Sequence, residues 1–291
     1  MAIRVFIDGV IHDQQTALVP VFDRGFLYGD SVYEVTRTAG GRPVDLERHI
    51  ERLERSSTGI LLPKIAREKV FRAVRETLLA AENRESYIRI IVTRGAGEIG
   101  LDPSLADEPR LIVIVRPLRL PDPKLYSDGA EVALVDVRRN LPRAVDPAIK
   151  SGNYLNNILA LAEAKRAGAY ESIMCNAEGR VVEGSSSNIF IVKGGKLRTP
   201  ALVDGLLDGI TRRRVIELAG ALGRGVDDAA HLAPDDLRSA DEAFLTSSVR
   251  GVMPVVRVSG QPIGGGQPGS ITRDLMDLYS RFLSRVATGE V

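Results

Sequence analysis

A single cysteine, Cys175, leaves this chain without an internal disulfide, so noncovalent packing must hold the fold and a reducing cytoplasm is the expected compartment. Histidine is nearly as scarce. His12, His49 and His231 are scattered without metal-ligand spacing, so no metal is expected and the three read as surface or capping residues. Charge of one sign is missing too: 39 Lys and Arg against 38 Asp and Glu leave a formal net charge of +1. Such a balance gives no field favouring nucleic acid or an anionic membrane. Apolar runs such as Leu111 to Val115 are only strand-length, far short of a bilayer span, and the stretch Met1 to Gly9 lacks the apolar core of a signal peptide. What is present is ordinary for a globular chain. With 291 residues, 44% of them hydrophobic and 26% charged, there is material for two domains and a large core.

Periodicity places the elements. Ile3 to Ile7 and Val10-Ile11 flank Asp8-Gly9, a pair suited to a tight hairpin turn. Ser31 to Thr38 alternates as a strand, and Leu46 to Ser57 carries Leu46, Ile50 and Leu53 at helical spacing. Ile65 to Ala81 reads as a second helix through Val70, Val74, Leu78 and Leu79, followed by strands at Tyr87 to Thr93 and Leu111 to Val115. Three prolines between Arg116 and Ser127 oppose both helix and central strand, which marks a linker. Beyond it, Glu131 to Val137, Ser172 to Asn176 and Asn188 to Lys193 read as strands. Helices are expected from Tyr154 to Gly168, from Gly209 onward, and from about Thr272 to Val286. The expected organisation is a smaller N-terminal domain over residues 1–116, a linker over 117–127 and a larger domain over 128–291. The class is α+β to α/β.

Two polar runs carry the chemistry. Lys150 lies between Pro147 and a helix, in a loop from which a side chain can project into a cleft; by itself it is also compatible with a solvated surface lysine. Glu183 follows the strand-like Arg180-Val181-Val182 and precedes Ser185-Ser186-Ser187, hydroxyls that can satisfy backbone or phosphate groups. Lysine, tyrosine and carboxylate are the groups that hold and tune a pyridoxal ring: an imine at the aldehyde, a hydrogen bond to the phenolic oxygen, and a partner for the ring nitrogen. Phosphate donors are available at Gly209-Ile210-Thr211, at Thr246-Ser247-Ser248 and at Arg48. Each has a plainer alternative. Thr211 could be a simple N-cap, and Arg48 could pair with Glu51 or Glu47. Arg212, Arg213 and Arg214 read as a solvated helix face.

Seven segments in order resemble the fold type IV pyridoxal-phosphate enzymes, the class IV aminotransferases: Arg24 to Glu34, Glu47 to Leu53, Tyr87 to Arg89, Lys150 to Asn157, Glu183 to Phe190, Gly209 to Arg212, and Met253-Pro254-Val255. The resemblance implies a two-domain fold type IV enzyme, its smaller α/β domain N-terminal and its larger domain of mixed sheets and helices. It implies pyridoxal 5'-phosphate as cofactor and a homodimer with amino acid and 2-oxo acid substrates. It also implies roles. Lys150 becomes the imine-forming base, Tyr154 the partner of the phenolic oxygen and Glu183 that of the ring nitrogen. Arg48, Ile210, Thr211 and Ser248 become phosphate ligands, with Ser247 beside them. Tyr28, Tyr33, Tyr87, Arg89, Val249 and Arg250 fall around the substrate.

Tyr87-Ile88-Arg89 and Gly100-Leu101-Asp102-Pro103 are similar to the branched-chain subgroup, which implies transfer between a branched-chain L-amino acid and a 2-oxo acid such as 2-oxoglutarate in a ping-pong cycle. Two departures keep D-amino acid aminotransferase as the alternative. Gly184-Ser185-Ser186-Ser187-Asn188 is closer to the D-specific form, and Ser247-Ser248-Val249-Arg250-Gly251 replaces a Gly-Thr-Ala-Ala-Glu type run. Arg250 could select a dicarboxylic or differently oriented substrate, or turn away into an ion pair. The segment Gly95-Ala96-Gly97-Glu98 lacks the arginine-any-histidine trap of the bacillar D-specific enzymes. An aminodeoxychorismate lyase fits less well, since Val35-Thr36-Arg37 resembles aminotransferases, and a noncatalytic binding module would require Lys150 or Glu183 to be missing.

Overall fold

The computed structural model describes residues 2–291. The chain forms two compact units, Met1–Arg119 with Ile149–Asn153 and Leu283–Val291, and Leu120–Ala148 with Tyr154–Phe282.

The first unit is an antiparallel sheet with two helices on one face. Its elements are β1 (Arg4–Ile7), β2 (Val10–Asp13), α1 (Arg24–Tyr28), β3 (Ser31–Ala39), β4 (Arg42–Pro43), α2 (Leu46–Gly59), α3 (Arg67–Ala81), β5 (Ser86–Thr93) and β6 (Arg110–Pro117). The strand order is β2-β1-β6-β5-β3-β4. The first hairpin turns on Asp8 and Gly9, both at positive φ, which matches the twist of a two-residue turn. Period-2 alternation sorts the sheet. Val32, Ile88, Ile90, Val92, Leu111, Val113 and Val115 form a core with Ile50, Leu53, Val70 and Val74 of α2 and α3. Tyr33, Tyr87 and Arg89 have the opposite parity and share the other face.

Glu34 lies on the helix side, buried, and His49 and Arg52 of α2 reach it. His49 Nδ1 is 2.7 Å from Glu34 Oε2, and Arg52 donates from Nε at 2.7 Å and Nη2 at 2.8 Å. The expectation of a surface or capping histidine therefore fails at His49. One turn of helix brings residues 49 and 52 to the same face, and a carboxylate on the opposing strand compensates the burial. Burial raises the Glu34 pKa, but the Arg52 charge and its hydrogen bonds, with those of His49, outweigh it and hold the group at about 2.

Ile149–Asn153 groups with this unit because it pairs along the start of β3. Tyr33 N donates to Lys150 O at 2.9 Å and Gly152 N to Ser31 O at 2.7 Å.

The second unit comprises α4 (Lys124–Ser127), β7 (Ala130–Leu134), α5 (Leu155–Arg166), β8 (Glu171–Cys175), β9 (Val181–Gly184), β10 (Asn188–Lys193), β11 (Lys196–Pro200), α6 (Ile210–Ala221), β12 (Val226–Ala230), α7 (Pro234–Arg238), β13 (Glu242–Ser247), β14 (Gly251–Val258) and β15 (Gln261–Pro262). The helix α8 (Ser270–Thr288) starts in this unit and its last residues group with the first. The order is β12-β11-β10-β13-β14-β7-β8-β9, with β15 on β14 and a further pairing of β9 to β10. That last pairing closes a ring of six strands, and it consists of one residue pair, Asn188 with Glu183. Ile173, Val181, Ile189, Ile191, Leu245, Met253 and Val255 belong to one buried cluster of the unit. Ala160 and Ala164 of α5 pack with Met174 and Val182 in another. The proline-rich stretch contains α4, a short helix where the prolines argue against one. Pro123 precedes the helix, where a missing N–H costs nothing, and the Asp122 side chain accepts from Lys124 N at 2.9 Å.

Candidate active site

In the first unit the strand pairing that holds Ile149–Asn153 presents Lys150 to Tyr33. Lys150 Nζ lies 3.4 Å from Tyr33 Oη and 4.4 Å from its ring centroid, while the backbone N donates to Ser56 Oγ of α2 at 3.1 Å. Arg89 approaches the same ring, with Cζ at 4.0 Å. Tyr87 stacks under Arg116 at 4.4 Å. Two cations thus stand against one phenol on a sheet face. Tyr28, at the end of α1, accepts from Gly100 N at 3.2 Å and lies beneath Arg24. Arg48, in the first turn of α2, has its Nε 3.9 Å from Asp45 Oδ1.

In the second unit Glu183 sits where the strand ring closes, and it is buried. Arg139 donates from Nε to Oε1 at 2.7 Å, and Oε2 receives Leu207 N at 3.1 Å and Asn188 Nδ2 at 3.5 Å. The carboxylate is therefore held by a charge and by donors on both oxygens. Asn188 is directly opposite Thr246 across β10 and β13, so Glu183, Asn188 and Thr246 form a row across three strands. The row meets the start of α6. Gly209, its N-cap residue, has no side-chain cap, and a Cβ there would come 2.0 Å from Asn188 Oδ1.

Around that helix start lie unmet polar groups. The amides of the first turn of α6 have no intrahelical acceptor, the Thr211 hydroxyl is in that turn and buried, and the buried Thr246 Oγ1 has no hydrogen-bond partner. Uncapped amides, a helix dipole and an orphaned hydroxyl are a donor set that fits a phosphate dianion. Thr211 is two residues past the cap, so the simple N-cap alternative is excluded. Tyr154 occupies the N-cap position of α5.

Ser248, Val249 and Arg250 make the turn from β13 to β14. Arg250 does not project as an open guanidinium: Nη1 pairs with Glu171 Oε2 at 3.0 Å, Nε donates to Ser247 Oγ at 3.1 Å, and Nη2 reaches Ser186 O at 3.2 Å and Ser186 Oγ. Of the two outcomes weighed for this residue, the ion pair is the one found. The hydroxyls of Ser185, Ser186 and Ser187 donate to Glu171. The expectation of a solvated face at Arg212 to Arg214 fails at Arg212, which is buried, with Nη2 donating to Pro200 O and Asp228 O, while Arg213 and Arg214 are partly exposed. Arg213 pairs with Asp208, and Arg214 pairs with Glu217 and covers Phe282.

The structure brings Lys150, Tyr33 and Arg89 together in one unit, and Glu183, Ile210, Thr211 and Thr246 in the other. Thr246 belongs to the run Thr246-Ser247-Ser248 named as a phosphate-donor candidate, whereas sequence reasoning missed Arg139, Asn188 and Glu171. Asn188 and Thr246 stood within quoted motifs and alternation would have aligned them, whereas Arg139 and Glu171 carry no local signal. Among the described residues no cluster of His, Cys, Asp and Glu could hold a metal ion, and no helix is long and apolar enough to cross a membrane.

A family model described as amino-transferase class IV matches residues 31–258. A protein of Methanocaldococcus jannaschii assigned as a branched-chain-amino-acid aminotransferase is 39% identical over 277 residues, covering 95% of each chain. The D-alanine aminotransferase of Bacillus licheniformis is 31% identical over 286 residues, covering 98% of this chain and 99% of the relative. The solved branched-chain amino acid aminotransferase of Thermobaculum terrenum, in its PLP-form, superposes with a TM-score of 0.86 at 28% identity, covering 96% of this chain and 93% of that one.

Proposed function

Because this chain belongs to the class IV aminotransferases, we propose that it moves the amino group of a branched-chain L-amino acid to a 2-oxo acid such as 2-oxoglutarate, with pyridoxal 5'-phosphate as cofactor. The observation that carries the cofactor assignment is the donor set at the start of α6, with its uncapped amides and the orphaned Thr246 hydroxyl. Pyridoxal phosphate, when bound, supplies an aldehyde that condenses with amines and a ring that withdraws the electron pair left at the substrate Cα.

The chain's residues do the rest. The amides of Ile210 and Thr211, the hydroxyls of Thr211 and Ser248, and Arg48 would hold the phosphate, with Ser247 behind them. Glu183, kept in place by Arg139, would hold the proton of the ring nitrogen, and the Tyr154 hydroxyl would face the phenolic oxygen. Lys150 would hold the aldehyde carbon at rest and, as an amine, take and return the proton at the substrate Cα. The Tyr33 hydroxyl beside its Nζ keeps the lysine oriented. Arg89 and Tyr87 would take the substrate carboxylate, and Tyr28 and Tyr33 would wall the side-chain pocket together with Val249. One cofactor serving two successive substrates makes the cycle ping-pong.

A homodimer in the cytoplasm completes the proposal. Exposed Leu18, Phe22 and Phe26 in the first unit and Leu155, Ile158 and Leu159 on α5 are apolar surface of the kind a partner covers, and light scattering of the purified chain measures its mass. The single free cysteine is buried, as suits a reducing compartment.

The function is tested by adding L-leucine, L-valine, L-isoleucine, D-alanine and D-glutamate one at a time to the cofactor-loaded protein and following the cofactor's visible absorbance. Loss of absorbance with the branched L-amino acids is the expected result. Loss with the D-amino acids alone would transfer the assignment to a D-amino acid aminotransferase.

A further inference from the structure

Glu171 is a carboxylate on which an unusual number of donors converge. It opens β8 and is 1% exposed. Its Oε1 accepts from Ser172 N at 3.0 Å, Ser185 N at 3.1 Å and Ser185 Oγ. Its Oε2 accepts from Ser186 Oγ at 3.0 Å, Ser187 Oγ at 3.4 Å and Arg250 Nη1 at 3.0 Å. Burial raises the carboxyl pKa, yet the Arg250 charge and the Ser185 hydrogen bond more than offset this and bring it below the ordinary range, so the group is ionised at neutral pH.

The two segments it joins are the two that matter for a phosphorylated pyridine. Gly184 to Ser187 connect Glu183 to Asn188, and Gly184 N closes that turn on Ser187 O at 2.7 Å. On the other side, Arg250 ends the turn that carries Ser247 and Ser248. That turn is fixed from two further directions: Tyr126 Oη donates to Arg250 O at 2.9 Å, and Gly251, at φ +68°, lies so close to Tyr279 that a Cβ would approach its ring to 2.8 Å. The guanidinium makes contacts through Nε, Nη1 and Nη2, all to groups of this unit.

We propose that Glu171 and Arg250 are a positioning pair, locking the Ser247–Gly251 turn to the Glu183–Asn188 segment so that phosphate and ring-nitrogen ligands keep a fixed spacing. In this role Arg250 takes no part in selecting the substrate's carboxylates. The inference rests on the pyridoxal-phosphate reading above. A buried pair broken on one side leaves the other charge uncompensated, so each single substitution should loosen both segments together.

The test uses the full chain as wild type, Arg250→Met and Glu171→Gln. Hydrogen exchange of the cofactor-free chain should be at least about tenfold faster at residues 185–187 and 248–252 in both variants, with the β5 and β6 amides unchanged. Pyridoxal phosphate should dissociate roughly 10- to 100-fold more readily from both, while the ratio of KM for L-glutamate to that for L-leucine stays within about twofold of wild type. A variant with unaltered exchange and cofactor affinity but a KM for L-glutamate raised about tenfold or more would overturn the pair and make Arg250 a substrate ligand. Should Arg250→Met not fold, Glu171→Gln, which preserves shape, carries the same comparison. A wild-type chain that takes up no pyridoxal phosphate would overturn the function reading alone, because the exchange comparison reads the lock without cofactor.

Discussion

Arg89 in the first unit and Arg250 in the second stand in opposite electrostatic surroundings. Arg89 lies on a sheet face against the Tyr33 ring, and among the described residues no carboxylate pairs with it. Arg250 is paired with the buried Glu171 and braced by two serines. A guanidinium against an aromatic face keeps its N–H groups available for an anion that arrives, whereas one already paired to a buried carboxylate has spent them on the fold. The first unit contains its own version of the second case: Arg52, with His49, is committed to Glu34. An internal carboxylate thus separates Arg250 and Arg52 from Arg89.

The contrast can be broken at several points. The largest effect belongs to Lys150, which shares the Tyr33 ring with Arg89: Lys150→Ala should lower turnover by roughly 10⁴-fold or more while the melting temperature stays close to wild type. Retained activity would remove Lys150 from the chemistry. Next comes Glu34→Gln, expected to cost about 3–5 kcal/mol in urea unfolding at pH 7 because Arg52 is left buried without its counter-charge. The Glu34 pKa is depressed in the fold, from 4.5 to about 2, so its contribution is complete above pH 4.5 and is lost as the pH falls towards 2. Unfolding curves at pH 7 and pH 3 should show this acid-sensitive component in wild type and not in Glu34→Gln.

Arg89→Met should raise the KM for amino acid roughly 10- to 100-fold in steady-state assays and leave pyridoxal phosphate uptake unchanged, the reverse of the split expected at Arg250. Equal loss of cofactor affinity at both positions would erase the contrast. The smallest effect is at Gly209. An alanine there must push the Asn188 amide aside, and a fall of about tenfold in pyridoxal phosphate affinity, with melting nearly unchanged, is the outcome equilibrium titration should return.

Legibility followed periodicity. The strand over Asn188–Lys193 and the helices opening at Leu46 and at Ile210 could be read from alternation, from i, i+3, i+4 spacing and from a glycine at the helix start. Other elements had no such signal. Gly251–Val258 has a proline at its middle, and Val226–Ala230 shows two exposed aspartates where a buried strand would show apolar residues. Alternation also hid the buried ion pairs. His49 and Arg52 look polar in a helix, and only the carboxylate of Glu34 on a strand of the same unit makes their burial tolerable. Lys150, Glu183 and Thr211 were legible because they lie in runs with ordered spacing. Arg139 and Glu171 were not, since their roles arise from side-chain contacts between segments that the chain separates by tens of residues.

Transfer of an amino group between two carbon skeletons is read most directly by following its nitrogen. With pyridoxal phosphate, ¹⁵N-labelled L-leucine and unlabelled 2-oxoglutarate, the purified chain should produce ¹⁵N-glutamate and the leucine-derived 2-oxo acid in equal amounts, detected by mass spectrometry. Appearance of the 2-oxo acid with the label released as ammonia, or no labelled glutamate at all while ¹⁵N-labelled D-alanine supplies its nitrogen, would contradict it.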